Sequence, residues 1–194
     1  VRLVFNRLPA QDETSWASLM SSYAENGLYI EAIECFDGIK KQGLFPNEVS
    51  FVCVLKACCG LKAIERGREI HGETIKNGFS DKNPFLGSIV VDMYAKCGYL
   101  ILAKEVFDKL CTRDVISWTS LIMGCVEYGL VADALKCLEK MQEDNVCPNS
   151  FTYVSCLKAC GIIRATCKGQ EIHSEIIREG LLNKDVMVGG ALVD

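Results

Sequence analysis

The sequence predicts an all-α solenoid built from antiparallel helix pairs, and three observations support this fold class. First, the chain is similar to itself at a shift of 102 residues. Residues 13–47 share 11 of 35 residues with 115–149, and residues 48–83 share 14 of 36 with 150–185, where average residue usage gives roughly two in each case. Second, apolar residues recur at helical spacing inside each segment. Third, glycine, Asn-Gly or proline follows these apolar stripes, as is typical of helix ends.

Residues 1–12, VRLVFNRLPAQD, form the first element of this pattern. At the same shift they align with AKEVFDKLCTRD, which ends at Asp114. They therefore predict the last helix of a partial unit whose first helix is missing. Because the chain starts inside one unit and stops inside another, we expect it to be a fragment of a longer protein.

Residues 13–47 predict the first complete helix pair. Two apolar stripes are present: Trp16, Leu19, Met20 and Tyr23 in the first helix, then Ala32, Cys35, Phe36 and Ile39 in the second. Gly27 ends the first predicted helix, and Gly43 with Pro46 ends the second. The expected structure is two short antiparallel helices joined by a tight turn.

The remaining units follow the same plan. In residues 48–83 the stripes are Phe51, Leu55 and Cys58, then Gly67, Ile70, His71 and Ile75, closed by Asn77-Gly78. In residues 84–114 they are Leu86, Ile89, Val90, Met93 and Cys97, then Ala103, Val106, Phe107 and Leu110. A second cycle gives units 115–149 and 150–185 and the start of another at 186–194. No single helix pair can bury both stripes, so the units must stack into a continuous core.

Composition narrows the classes of partner and site. The net charge of −4 and a pI near 5.3 give no electrostatic reason for non-specific binding to nucleic-acid phosphates. No apolar run reaches 18 residues, so we expect no membrane span. The 12 cysteines fall largely on apolar stripes and include no C-x-x-C pair. We therefore expect reduced core thiols and no zinc or other metal site.

Several motifs, in order and at fixed spacing, resemble the plant pentatricopeptide repeat family of the P-L-S subclass over essentially the whole chain. They are SWASLM and SWTSLI, VVDMYAKCG from Val90 to Gly98, EVFDKL from Glu105 to Leu110, and GREIH and GQEIH. The unit lengths of 35, 36 and 31 match the P, L and S repeats of that subclass. On this resemblance the units at 13–47 and 115–149 are P repeats, those at 48–83 and 150–185 are L repeats, and that at 84–114 is an S repeat.

The resemblance implies a right-handed superhelix that binds single-stranded RNA in an organelle, one base per repeat. In the family the base is selected by the fifth and last residues of a repeat, and the second residue packs against the base. The corresponding base-specifying pairs are Ala17 with Asn47, Ser88 with Asp114, and Thr119 with Asn149; the base-packing residues are Thr14, Phe85 and Ile116. Binding of splayed bases through their edges is compatible with an acidic chain.

The family's base preferences then predict a short recognition sequence. Ser88 with Asp114 favours G, and Thr119 with Asn149 favours A. Ala17 has no polar atom, and the L repeats carry Val52 and Val154 at the fifth position, so these repeats should specify a base weakly. The four consecutive complete repeats from residue 13 to 149 are therefore expected to specify weak, weak, G, A.

Other interpretations compete at individual residues. His71-Gly72-Glu73 and His173-Ser174-Glu175 fit half of a zinc deaminase motif, but the P-C-x-x-C half is missing. We expect both histidines to pack between helices. Trp16 and Trp118 lie on apolar stripes, which favours core packing over base stacking. Asn47 and Asn149 follow prolines and are also candidate helix N-caps.

These observations predict a non-catalytic segment with no cofactor, no metal and no small-molecule substrate, which binds organellar RNA in a mitochondrion or chloroplast. The resemblance further suggests target recognition for C-to-U RNA editing, with editing-complex proteins as possible partners and a deaminase-like domain possible beyond Asp194. The competing class is a tetratricopeptide-like scaffold that binds a peptide or protein in the same groove. Polar residues at the ends of the repeats favour the RNA reader.

Overall fold

The computed structural model describes residue 5 and residues 11–79, 83–181 and 189–190. In this part of the chain ten complete α-helices follow one another in pairs. They are α1 Glu13–Glu25, α2 Tyr29–Lys41, α3 Glu48–Leu61, α4 Ile64–Lys76, α5 Pro84–Lys96, α6 Leu100–Lys109, α7 Val115–Glu127, α8 Val131–Glu143, α9 Ser150–Ile163 and α10 Thr166–Arg178. The predicted all-α fold of stacked helix pairs is confirmed. The helices predicted in residues 1–12 and 186–194 lie almost entirely outside the described residues.

The first helix of each pair begins at the first residue assigned to a unit, namely Glu13, Glu48, Pro84, Val115 or Ser150. A residue with a left-handed backbone follows each first helix, 14 positions after the first residue of that helix. In three units that residue is glycine, as at Gly27 with φ of 73°. In the other two it is Lys62 with φ of 51° and Arg164 with φ of 54°, where a Cβ makes this conformation more costly. The unit boundaries themselves stay a prediction.

Two layers of helices result from the packing. The first helices α1, α3, α5, α7 and α9 pack side by side, and each second helix packs between its own first helix and the first helix of the next pair. In the described part of the chain, successive second helices make no comparable contact with one another. First helices are therefore closer together than second helices, and they form the inner, concave side of the array.

Aromatic pairs connect successive units. Phe36 on α2 packs against Phe51 on α3 with ring centroids 5.3 Å apart, and Phe107 on α6 packs against Trp118 on α7 at 4.6 Å. Phe5 packs against Trp16 in the same way at 4.5 Å. The first two pairs each join a second helix to the first helix that follows it, and the buried apolar residues form one cluster that runs from unit to unit. The predicted core position of Trp118 is confirmed, since the side chain is 3% exposed; Trp16 is half-buried.

Most of the predicted stripe residues are in this core, with one clear exception. Ile75 is 56% exposed, so its assignment to the buried stripe is wrong. It lies in the last turn of α4, next to the final residue Lys76, and lines an open cavity with Gly87 and Val90 of α5. The predicted burial of cysteines is confirmed at Cys35, Cys58 and Cys160, and burial raises the pKa of the Cys58 thiol to about 11. Such thiols stay protonated and pack as small apolar groups.

Candidate nucleic-acid interface

The last residues of the units 13–47, 48–83, 84–114 and 115–149 lie at junctions between two units, where each caps the next first helix. The caps at the predicted base-specifying positions are Asn47, Asp114 and Asn149, whose Oδ1 atoms accept from the backbone N–H of Ser50, Ser117 and Thr152 at 3.0, 2.8 and 2.9 Å. The predicted capping role of the two asparagines is thereby confirmed, and Asp114 shares it. Because Oδ1 is held by a backbone N–H, the remaining atoms of each headgroup have a fixed direction. All three headgroups are half-buried.

Ser88 and Asp114 are brought together directly. The Ser88 hydroxyl donates to Asp114 Oδ1 at 2.9 Å, and it lies 3.1 Å from the carbonyl oxygen of Pro84. Ser88 is fully buried, whereas the Asp114 headgroup is partly accessible. In the described part of the chain no donor contacts Asp114 Oδ2. A carboxylate can only accept, so this pair presents an acceptor to any ligand at the junction.

Thr119 and Asn149 are linked through a third side chain. The Thr119 and Thr152 hydroxyl oxygens are 2.7 Å apart, and the Thr152 hydroxyl donates to Asn149 Oδ1 at 2.9 Å. Since a hydroxyl has one proton, the Thr119 hydroxyl must donate to Thr152. With Oδ1 occupied, Asn149 presents its Nδ2 amide, a donor, to the accessible side. Sequence reasoning missed Thr152, although a hydroxyl three residues after an Asn N-cap is a recognisable capping signal.

Ala17 lacks the chemistry of the other two fifth residues. Its methyl group is buried, with 4% of its surface exposed, and it makes no polar contact with Asn47. The Asn47 headgroup is held by the Ser50 hydroxyl at 3.0 Å as well as by the Ser50 backbone. This junction therefore has the cap and the hydroxyl but no connection to the fifth position. The missing link between Ala17 and Asn47 is compatible with the weak base preference expected at this repeat. That preference stays a prediction.

The second residues of the units lie near the beginnings of the first helices. Phe85 is 42% exposed, Ile116 is half-buried and Thr14 is exposed. Val49 and Phe151, the second residues of the two 36-residue units, are each 52% exposed and were not singled out from the sequence. The repeat register alone could have identified them, because it gives the second residue of every unit. Apolar side chains held in contact with solvent at equivalent positions are able to pack against flat ligands.

Two ion pairs involve charged groups of the first helices. Asp92 on α5 contacts Lys96 at 2.7 Å and accepts from the Ser120 hydroxyl on α7 at 2.8 Å. Burial alone would lower the pKa of Lys96, but the hydrogen bond and the charge of Asp92 raise it above its usual value. Lys62 reaches Glu127 at 3.4 Å across the intervening unit. This surface therefore offers no continuous basic stripe, in agreement with the negative net charge.

The two histidines of the H-x-E motifs have different environments. His71 is half-buried, and its Nδ1 lies 3.0 Å from the Tyr94 hydroxyl, so its predicted packing between helices is confirmed. His173 is exposed, so the same prediction is wrong there: no described aromatic ring packs on it as Tyr94 does on His71. Within the described residues no group of three His, Cys, Asp or Glu side chains is placed to hold a metal ion. None of the helices described is long and apolar enough to cross a membrane.

Trp16 and Trp118 differ in one hydrogen bond. Trp16 Nε1 donates to Gln42 Oε1 at 3.1 Å, and the Gln42 amide donates to Gln11. The counterparts of these glutamines 102 residues later are Asp144 and Arg113, which form an ion pair at 3.7 Å. Trp118 Nε1 is buried and has no hydrogen-bond partner among the residues that the structure describes. At the position of the acceptor Gln42, the second copy has the shorter Asp144, which is paired with Arg113.

Comparison with known proteins gives a consistent result along the chain. A model of the PPR repeat family matches residues 11–60 and 113–161, and a model of the single PPR repeat matches residues 88–115. Two chloroplastic pentatricopeptide repeat-containing proteins of Arabidopsis thaliana are similar to the chain. One is 38% identical over 192 residues, covering 99% of this chain and 31% of the relative. The other is 36% identical over 190 residues, covering 98% and 21%. The chain thus spans a third or less of the length of these relatives.

Solved structures share the fold at lower sequence identity. The crystal structure of the pentatricopeptide repeat protein PPR10 in complex with an 18-nt psaJ RNA element has a TM-score of 0.76 at 17% identity, covering 98% of this chain and 27% of that chain. The PPR domain of Arabidopsis thaliana protein-only RNase P 1 in complex with tRNA has a TM-score of 0.64 at 16% identity, covering 82% and 86%. At these identities the likeness establishes the helical repeat architecture.

Proposed function

Because the chain belongs to the pentatricopeptide repeat family, we propose that it binds single-stranded RNA and reads bases at the junctions between its repeats. The observation that carries this proposal is the pairing of a fifth residue with a last residue at two successive junctions. One pair is direct, from Ser88 to Asp114 at 2.9 Å, and the other passes through Thr152 to Asn149. Both leave one polar group of defined character at the accessible side of the junction.

The character of each exposed group supports a specific base preference. The free oxygen of Asp114 is an acceptor, which complements the N1–H and N2–H₂ donors of guanine. The Asn149 Nδ2 is a donor, which complements the N1 acceptor of adenine. Phe85 and Ile116, the second residues of the same repeats, supply apolar surface for packing on the base. This assignment gives guanine at repeat 84–114 and adenine at repeat 115–149, with weak preference at repeats 13–47 and 48–83.

Affinity in this proposal comes from base packing and edge hydrogen bonds more than from phosphate charge. The net charge of −4 and the paired charges around Asp92 and Glu127 support that balance. We expect the salt dependence of RNA binding to be shallow compared with that of a basic RNA-binding protein. The repeats bind and position RNA, and any chemistry on the RNA belongs to another domain or another protein.

The finer proposal is that the repeats form a P-L-S array that selects RNA targets in a chloroplast or mitochondrion, as in C-to-U editing. The alternating lengths of 35, 36 and 31 residues and the recurrent sequence phrases support the subclass. Relatives described as chloroplastic support the organelle. Editing-complex proteins are the expected protein partners.

The test is fluorescence-anisotropy binding by the full-length protein to labelled single-stranded RNAs that differ only at the two bases facing residues 84–149. We expect the G-A probe to bind at least tenfold more tightly than the A-G probe, because both edge contacts are mismatched in the latter. Failure to bind any RNA at low salt, together with saturable binding of a peptide or protein in the groove, would favour a tetratricopeptide-like scaffold.

A further inference from the structure

Thr152 lies between the two residues proposed to read a base, yet it belongs to the next repeat. It is the third residue of α9, and its side chain is fully buried. Its hydroxyl oxygen is 2.7 Å from that of Thr119 and 2.9 Å from Asn149 Oδ1, and the Asn149 backbone N–H donates to it at 3.3 Å. Being buried, Thr152 has no direct access to a ligand in the groove.

We propose that Thr152 is a specificity-positioning residue, so that base selection at repeat 115–149 depends on three side chains rather than two. The inference rests on the proposed RNA-reading function. The Thr152 hydroxyl donates a hydrogen bond to Asn149 Oδ1, and the Thr119 hydroxyl donates a hydrogen bond to the Thr152 hydroxyl oxygen. The relay fixes both hydroxyl protons away from the ligand and holds the amide with Nδ2 outward. The junction then presents a donor from Asn149, while the remaining lone pairs of Thr119 are acceptors.

The neighbouring junction shows that a hydroxyl at this position does not always form a relay. At the end of repeat 84–114 the equivalent residue is Ser117, whose hydroxyl donates to the Asp114 backbone carbonyl at 3.0 Å and accepts from the Asp114 backbone N–H at 3.1 Å. Asp114 Oδ1 therefore accepts from the Ser88 hydroxyl and the Ser117 backbone N–H, and not from the Ser117 hydroxyl. Ser117 therefore closes a local capping box, and it takes no part in the contact between the fifth and last residues.

The first junction has an incomplete relay. Ser50 donates to Asn47 Oδ1 at 3.0 Å, as Thr152 does to Asn149, but Ala17 offers no hydroxyl to continue the chain. Two of the three members are thus already in place at repeat 13–47. Replacing Ala17 with threonine should supply the third, and this gives the inference a gain-of-function test in the same molecule.

The test compares RNA binding by the full-length protein and its variants Thr152→Val, Thr152→Ser and Ser117→Ala, with probes that vary only the base facing repeat 115–149. Thr152→Val keeps the branched shape and removes the hydroxyl. We expect the preference for A over G to fall about fivefold, equivalent to the loss of one hydrogen bond, with the G preference at repeat 84–114 unchanged. Thr152→Ser should restore discrimination, and Ser117→Ala should leave both preferences in place.

Ala17→Thr should create a preference for A at repeat 13–47 that the parent protein lacks. If Thr152→Val keeps the full preference for A while the protein still binds RNA selectively, the relay has no role and the two-residue description is sufficient. If neither parent nor variants bind RNA, the proposed function itself fails. Thermal unfolding of each variant separates these outcomes from a loss of folded protein.

Discussion

The Ser88 hydroxyl donates to Asp114 Oδ1 at 2.9 Å, which joins the fifth residue of one repeat to the residue that caps the next helix. Ser88 is fully buried and the Asp114 headgroup is partly accessible. The serine therefore acts through the aspartate: it holds the carboxylate in place and leaves the second oxygen for a ligand. Base selection at repeat 84–114 therefore depends on Ser88, although Ser88 is buried and would not contact the base itself.

Ser88→Ala should weaken discrimination at this repeat with little effect on the helix cap. The Asp114 carboxylate keeps its bond from the Ser117 backbone at 2.8 Å but loses the bond that fixes its tilt. We expect the preference for G over A to fall about fivefold, the effect of one hydrogen bond, in anisotropy titrations with probes varied at that base. Unchanged discrimination would show that Asp114 needs no support from Ser88.

Asn47 and Asn149 provide a matched pair that separates capping from base reading. Both cap a helix through Oδ1, but only Asn149 is connected to a fifth-position hydroxyl. Asn47→Ala and Asn149→Ala should each lower the free energy of unfolding by about 1 kcal/mol, measured by chemical denaturation. Only Asn149→Ala should also lose discrimination at its RNA position. Equal loss of base selectivity in both variants would contradict the different roles assigned here.

Much of this description could be predicted from the sequence, because the 102-residue register places equivalent residues in equivalent environments. The helix pairs, the buried Trp118 and the capping asparagines all follow from apolar spacing and from Asn after Pro. The exceptions are differences between copies. Thr152 joins a relay that Ser117 does not, and this depends on which of several hydrogen bonds a hydroxyl forms. The Tyr94 ring packs on His71, whereas no described aromatic ring packs on the exposed His173. Such choices depend on three-dimensional neighbours, which periodicity does not specify.

Trp118 offers a stability prediction drawn from the other copy of the repeat. Its buried Nε1 has no acceptor in the described part of the chain, whereas Trp16 Nε1 donates to Gln42 at 3.1 Å. Asp144→Gln places the glutamine of the first copy beside Trp118 and removes only an exposed ion pair with Arg113, which contributes little. We expect the free energy of unfolding to rise by about 1 kcal/mol.

The reverse change is the control for this prediction. Gln42→Asp should leave Trp16 without its acceptor and lower the free energy of unfolding by a smaller amount, because this bond is exposed and water can replace the acceptor; both variants are followed by denaturant titration. No gain in Asp144→Gln would mean that the Trp118 ring is held too far from residue 144 for the bond to form.

His71 should make stability depend on pH. Burial lowers the pKa of His71, with a smaller contribution from the charge of Lys109. The unfolded chain, with a His pKa near 6.5, therefore binds the proton more readily than the folded chain. The stabilisation from neutral His71 is present above pH 6.5 and is lost as the pH falls through the folded-state pKa.

The measurement is the unfolding free energy between pH 5 and pH 8 for the parent, His71→Gln and His173→Gln. His71→Gln should flatten the dependence around pH 6, whereas His173→Gln, a change at an exposed side chain, should retain it. An identical pH profile for the parent and His71→Gln would contradict the burial argument.

The central claim is that paired residues at repeat junctions select RNA bases, and repeat 115–149 tests it most directly. The measurement is RNA binding by the full-length protein carrying Thr119→Asn together with Asn149→Asp, against probes that differ only at the base facing this repeat. The substitutions exchange the outward amide donor for a carboxylate acceptor and place an amide at the fifth position. The account predicts that the preferred base moves from A to U while the G preference at repeat 84–114 is retained. A double variant that still prefers A, with the parent's affinity for every probe, would contradict it.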